Sequence, residues 1–184
     1  MTHTVTTILS VGAIFVQALV GLFALSLLVA LFVKPARGPL ADVANTIAPA
    51  ALWAAFALAL IALAGSLFYS EHAGFIPCRL CWYQRIAMYP LVVILFGAAL
   101  RKDIRGAVFY GAPLAIIGAG VSIYHLYIEY HPEAETPGCK VGAPCTVKWI
   151  DEYGYITLPA LALTAFVGIL CLLWIAWRRR LAAE

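Results

Sequence analysis

Pro77-Cys78-Arg79-Leu80-Cys81-Trp82-Tyr83-Gln84-Arg85 ends one long apolar run and begins the next. It is a polar, thiol-bearing interruption in a chain of 184 residues that is 64% hydrophobic and only 11% charged. Soluble domains carry about 25% charged residues, so the composition is that of an integral membrane protein. One crossing of the hydrocarbon core takes about 20 apolar residues. Five stretches reach that length: 8–33, 50–69, 79–100, 106–130 and 156–177. The expected fold class is therefore an all-α integral membrane protein of five spans. The connections are too short for a separate soluble domain.

Charge placement orients the spans. Lys34 and Arg37 fall between the first and second, Arg101, Lys102 and Arg105 between the third and fourth, and Arg178, Arg179 and Arg180 after the fifth. With five crossings all three clusters share one side, which the positive-inside rule makes cytoplasmic. The N-terminus, 70–78 and 131–155 are then outside. The net charge of +3 comes from small clusters at helix ends, so it does not point to nucleic acid. Residues 1–7 contain no Lys or Arg and the run after them is long, so the first stretch reads as a retained helix rather than a cleaved signal.

Four of the five cysteines lie on the outer side. Cys78 and Cys81 stand at the start of the third span, and Cys139 and Cys145 lie in the long outer loop. That compartment is where disulfides form and persist. Cys171, in the middle of the fifth span, reads as a small apolar packing residue. In a helix Cys78 and Cys81 share a face, and Arg85 continues it. The helix N-terminus and the Arg85 cation both favour thiolate, the reactive species. Pro77 suits a helix start.

The segment from Thr136 to Trp149 is rich in Gly and Pro and reads as a turn-rich loop. The bland reading of Cys139 and Cys145 is a static loop-closing disulfide. The functional reading is an exposed bond open to thiolate attack, as labile and catalytic disulfides are. A four-cysteine zinc site is chemically possible, but the wide second spacing and the oxidising side disfavour it, and no metal is expected. Covalent haem requires His after the second cysteine of the pair; here Trp82 follows.

Polar residues inside the spans are costly and commonly functional. Gln84 and Arg85 lie one turn into the third span, and Arg85 reads as a donor to a carbonyl-bearing cofactor beside Cys81. In the fourth span Gly111, Ala115, Gly118, Ala119 and Ser122 form a small-residue packing face, and His125 points the same way. His125 is read equally as an interfacial histidine or a cofactor contact. Glu129 is expected to be solvated. Trp149, Tyr153 and Tyr155 read as an interfacial aromatic belt, with 146–153 as a short helix on the membrane surface.

Cys78-Arg79-Leu80-Cys81-Trp82-Tyr83-Gln84-Arg85 resembles the signature of the DsbB family, membrane thiol oxidases. The segments 144–149 and 154–159 are similar to its short-loop BdbC-like branch. The resemblance covers about 50–177 and implies a four-helix transmembrane bundle with outer loops 70–78 and 131–155. Residues 1–49 would be an extra N-terminal transmembrane helix and cytoplasmic linker, and 178–184 a cytoplasmic tail. The resemblance also implies a relay in the bacterial cell membrane. A thioredoxin-like, DsbA-like partner dithiol would exchange with Cys139, Cys145 with Cys78, and Cys81, as thiolate, would face a membrane quinone (ubiquinone or menaquinone) polarised by Arg85. Gln84 and His125 complete the expected cofactor contacts. The rival readings are a quinone reductase of the vitamin K epoxide reductase type, and a non-enzymatic membrane protein with structural disulfides or zinc.

Overall fold

A computed structural model describes residues 2–32, 37–136, 139 and 143–183. Lys34, one of the cations used to orient the chain, lies outside the described residues, as do five loop residues around Cys139 (137, 138 and 140–142). The regular structure of the described residues is helical, apart from one isolated β-bridge between Glu152 and Ile156.

Helix α1 runs Thr2–Phe32 and α2 Arg37–Ile47. Helix α3 runs Ala51–Leu67 and continues through a π-helical turn, Phe68–His72. Helix α4 is Arg79–Arg101. A short helix α5, Ile104–Gly106, leads through a second π-helical turn, Ala107–Gly111, into α6, Ala112–Tyr130. Helix α7 is Leu158–Ala183. Five of these helical stretches are long and apolar enough to cross a membrane. The chain is a multi-pass helical membrane protein. The segment read as a plain linker after the first span contains α2.

Helices α3, α4, α6 and α7 pack together as a four-helix bundle, and α1 lies against the outside of α7. The bundle core is built from small and branched residues, among them Ala55, Leu91, Leu95, Ala115, Phe166 and Ile169, all fully buried. The small-residue face of α6 does what its composition suggested. Gly111, Ala115, Gly118, Ala119 and Ser122 are all buried. A Cβ at Gly118 would run into the Phe166 ring, so glycine there is what lets α6 and α7 approach. Lipid offers no hydrophobic drive between helices, and close packing of this kind takes its place. Pro113 sits in the first turn of α6, where a missing N–H costs nothing, while Pro90 is inside α4.

Both ends of α4 and the start of α5 have identifiable caps. Cys78 is the N-cap of α4, with its sulfur accepting from the Cys81 N–H at 3.3 Å. Lys102 closes α4 in the left-handed conformation, φ 54°. Asp103 caps α5 by accepting from the Gly106 N–H at 2.9 Å. The connectivity puts Arg101, Lys102, Arg105 and Arg178–Arg180 at one end of the bundle and both cysteine pairs at the other. The start of α1 joins the cysteine end, where the Tyr69 hydroxyl donates to Thr6 Oγ1 at 3.1 Å.

The surface helix expected at 146–153 is absent. The chain instead reverses at Tyr153 and Gly154, both at positive φ (57° and 76°), and Glu152 bridges to Ile156. Two successive left-handed residues form a tight turn that a helix cannot contain. Trp149 stacks on Phe75, with centroids 5.0 Å apart, and Phe75 stacks in turn on Tyr69 at 5.5 Å.

Candidate active site

The two cysteine pairs meet at the end of the bundle opposite the arginine clusters. Cys139 and Cys145 are joined as a disulfide, Cα–Cα 5.5 Å, and both are buried. Cys78 packs into the same buried cluster with Leu80 and Ile128. Cys78 and Cys81 are free thiols with sulfurs 2.9 Å apart.

The two sulfurs of that pair face different surroundings. Cys78 is almost fully buried against the loop disulfide. Cys81 lines a cavity of about 340 Å³ bounded by α1, α3, α4 and α7. Gln84, Arg85 and Tyr89 line the same cavity, and its remaining walls are mainly apolar. Their spacing explains this: 81, 85 and 89 fall on one helical face.

Arg85 is fixed rather than snorkelling. Its Nε donates to Ser66 Oγ and one terminal nitrogen to the Ser66 carbonyl, both at 2.9 Å. Its guanidinium also lies over the Trp82 ring, 5.2 Å from the centroid. Gln84 Nε2 donates to Ser122 Oγ at 3.0 Å, and Ser122 Oγ donates to the Gly118 carbonyl at 2.8 Å. Gln84 thereby ties α4 to α6 while bordering the cavity. The Tyr89 hydroxyl is buried with no hydrogen-bond partner among the described residues. Burying a hydroxyl unpaired is costly, so Tyr89 presents an unmet polar group beside Arg85's face of α4. Sequence reading passed over Tyr89 and Ser66. The four-residue step from Arg85 is the one signal that points to Tyr89, and nothing local points to Ser66.

His125 is not among the cavity's lining residues. Its Nε2 is 3.1 Å from the Cys145 carbonyl and 3.6 Å from Cys78 Sγ. A carbonyl can only accept, so Nε2 carries the hydrogen. His125 thus bridges the two cysteine pairs. Glu129, expected in solvent, is buried and accepts from the Thr157 hydroxyl at 2.7 Å. It lies one turn beyond His125 on the same inward face, which is why it is carried inside. Glu135, also passed over, accepts from the Cys145 N–H at 2.8 Å and holds the loop disulfide in place.

The Cys78 thiol is held well below the ordinary thiol range. The hydrogen bond from Cys81 is the main cause; burial opposes it, and the His125 bond and charge add to the lowering. A lowered pKa keeps sulfur as thiolate while pH falls, so thiolate ultraviolet absorbance of the reduced pair should persist well below pH ~8.5, the ordinary thiol midpoint. His125→Ala should move that titration upward, and Cys78→Ser should remove it. Loss of the absorbance at the ordinary midpoint in the wild type would show that Cys78 is unperturbed.

The chain also matches known proteins. The family described as disulfide bond formation protein DsbB matches residues 49–177. Disulfide bond formation protein C of Bacillus subtilis is 49% identical over 131 residues, covering 66% of this chain and 91% of that protein. Probable disulfide formation protein C 1 of Bacillus anthracis is 45% identical over 120 residues, 65% of this chain and 86% of its own. Probable disulfide formation protein C of Halalkalibacterium halodurans is 46% identical over 113 residues, 60% and 81%. No solved structure matches the chain. The matched family region contains α3 to α6 and α7 as far as Trp177, and excludes α1 and α2.

Proposed function

The chain belongs to the DsbB family of disulfide bond formation proteins, membrane oxidoreductases, and within that family we propose that it is a thiol:quinone oxidoreductase. It re-oxidises a thioredoxin-like dithiol partner outside the cytoplasmic face and delivers the electrons to a membrane quinone. The supporting observation is that one dithiol has a sulfur on each side. Cys78 lies in the cluster of the loop disulfide, and Cys81 lines the apolar cavity.

A quinone fits the residues of that cavity. Its ring carbonyls need donors, its tail needs apolar walls, and the buried, unpartnered Tyr89 hydroxyl needs an acceptor. Arg85, Gln84 and Tyr89 would hold the headgroup end. When bound, a quinone supplies an acceptor for two electrons and two protons.

The protein's own steps are thiol–disulfide exchanges. A partner thiolate attacks Cys139 Sγ, breaking the Cys139–Cys145 bond and releasing the Cys145 thiolate. The second partner thiolate then attacks its own mixed disulfide, leaving the partner oxidised and Cys139 reduced. The Cys145 thiolate attacks Cys78 of an oxidised Cys78–Cys81 pair and releases Cys81. The Cys139 thiolate attacks Cys145, re-forming the loop disulfide and freeing Cys78. Two electrons have moved from the partner to Cys78 and Cys81. The observed pairing, with Cys139–Cys145 joined and Cys78 and Cys81 free, corresponds to this stage.

His125 works between the pairs as a positioning residue. It holds the Cys145 carbonyl and stabilises negative charge on Cys78 during exchange. Ser66 fixes the Arg85 guanidinium, whose charge faces a site from which the apolar walls exclude water.

Cys139→Ala tests the reading with purified protein, decylubiquinone and a reduced thioredoxin-like partner. Partner oxidation should stop, while dithiothreitol still reduces an oxidised Cys78–Cys81 pair and sustains quinone reduction. Unchanged partner turnover would remove Cys139 from the entry position.

A further inference from the structure

Helix α1 lies outside the matched family region, and the Bacillus subtilis relative has only about a dozen residues outside its match, fewer than the ~20 of a span. Yet Leu9, Gly12, Ala13 and Val16 of α1 line the cavity that holds Cys81, Arg85 and Tyr89. Resting on the quinone reading above, we propose that α1 is part of the quinone site. It walls the side of the cavity that the four-helix bundle leaves toward lipid, and the recess at Gly12 and Ala13 sets the quinone tail that the site admits.

The way α1 docks supports this. A Cβ built on Gly65 of α3 would lie 3.1 Å from Leu9, and one built on Gly168 of α7 would lie 3.2 Å from Val16. The two glycines therefore receive α1 side chains two turns apart on the same face. Gly12 and Ala13 fall between these contacts on that face. A Cβ at Gly12 meets no atom within 4 Å, so the space before it is open.

Polar contacts pin the same stretch at both ends. The Tyr69 hydroxyl donates to Thr6 at 3.1 Å, and Gln17 Nε2 donates to Thr164 at 2.8 Å. The Tyr155 hydroxyl also donates to Gln17 Oε1, at 3.3 Å. Hydrogen bonds between helices persist in lipid because the freed groups find no water there. The wall from Thr6 to Gln17 is thus held against the bundle, with its smallest residues over the cavity. An isoprenoid tail, being apolar and flexible, suits that recess, while the polar headgroup suits Arg85 and Tyr89.

The test fills the recess. Gly12→Ala, Gly12→Leu and Gly12→Phe should fold, because the added atoms enter open space. Gly21→Phe is the control: a Cβ there also meets nothing, but Gly21 does not line the cavity. Two ligands are measured by equilibrium binding: decylubiquinone and its tail-free dimethoxy-methyl-benzoquinone headgroup. Quinone retained through purification is measured alongside. Decylubiquinone affinity should fall progressively along the Gly12 series, by roughly tenfold or more at phenylalanine. Headgroup affinity should fall less, and Gly21→Phe should match the wild type. A flat Gly12 series, or an equal loss at Gly21→Phe, overturns the role of α1 while leaving the quinone reading intact. A wild-type protein that binds neither of these ligands nor a short-tailed menaquinone overturns both.

Discussion

Cys81→Ser is expected to lower quinone reduction by at least about a thousandfold, the scale on which loss of a covalent nucleophile is felt. Serine nearly matches the thiol in size, so the bundle and the cavity are kept. What goes is the ability to form the second sulfur–sulfur bond. Cys78 then has no partner within α4 and remains beside the loop disulfide, in the same buried cluster as Cys139 and Cys145. As a thiolate it can attack Cys145, which breaks the Cys139–Cys145 bond, forms Cys78–Cys145 and releases the Cys139 thiolate. With Cys81 gone nothing resolves that bond from the cavity side. Peptide mapping of the variant should therefore find Cys78–Cys145 accumulating, together with one free thiol at Cys139. Wild-type quinone reduction by Cys81→Ser would exclude Cys81 from electron transfer. A variant that is inactive but never forms Cys78–Cys145 would keep Cys81 and remove the exchange between the pairs.

Arg85→Gln should lower kcat/KM for quinone by about a hundredfold, as expected when a preorganised charged donor is lost from a water-poor site. Glutamine keeps one donor but neither the charge nor the two-point grip on Ser66. Arg85→Lys should restore only part of the activity. An ammonium on a flexible stem supplies charge without the planar fork that makes both Ser66 bonds. Stability should fall as well, by about 1–3 kcal/mol, because the Ser66 carbonyl and hydroxyl are left short of a partner. The two effects separate in the assay. Reduction of Cys139–Cys145 by dithiothreitol does not involve Arg85 and should continue at the wild-type rate. Unchanged quinone kinetics in Arg85→Gln would reduce Arg85 to a structural tie between α4 and α3.

Much of the site is local, and what is local is legible. The step from Cys78 to Cys81 to Arg85 needs only helical spacing, and the same step extended once more reaches Tyr89. The small-residue face of α6 is visible because glycine and alanine recur at helical intervals. His125 was legible as inward-facing but not as to what it faces. Helical phase gives a direction, and the neighbour at the end of it, the Cys145 carbonyl, belongs to a loop whose path helical phase does not set. Glu129 was misread for a related reason. Nearness to the loop suggested water, and the neighbouring chain at Thr157 closes over it instead. The expected surface helix failed where Tyr153 and Gly154 turn the chain back, a local event whose only sequence signal was one glycine.

By itself the sequence determined the class of protein, the five apolar helices, and the thiol pairs at the ends of particular spans. Hydropathy, charge clusters and residue spacing are properties of short segments and survive without a fold. The tertiary structure alone decided which faces meet. In lipid the buried and the outward faces of a span are both apolar, so the pattern that separates inside from outside in a soluble helix is largely erased. Close approach at Gly65, Gly118 and Gly168, and hydrogen bonds such as Arg85 to Ser66, choose the packing instead. That choice set Cys78 and Cys81 toward different surroundings, put His125 between the two pairs, and made α1 a wall of the cavity.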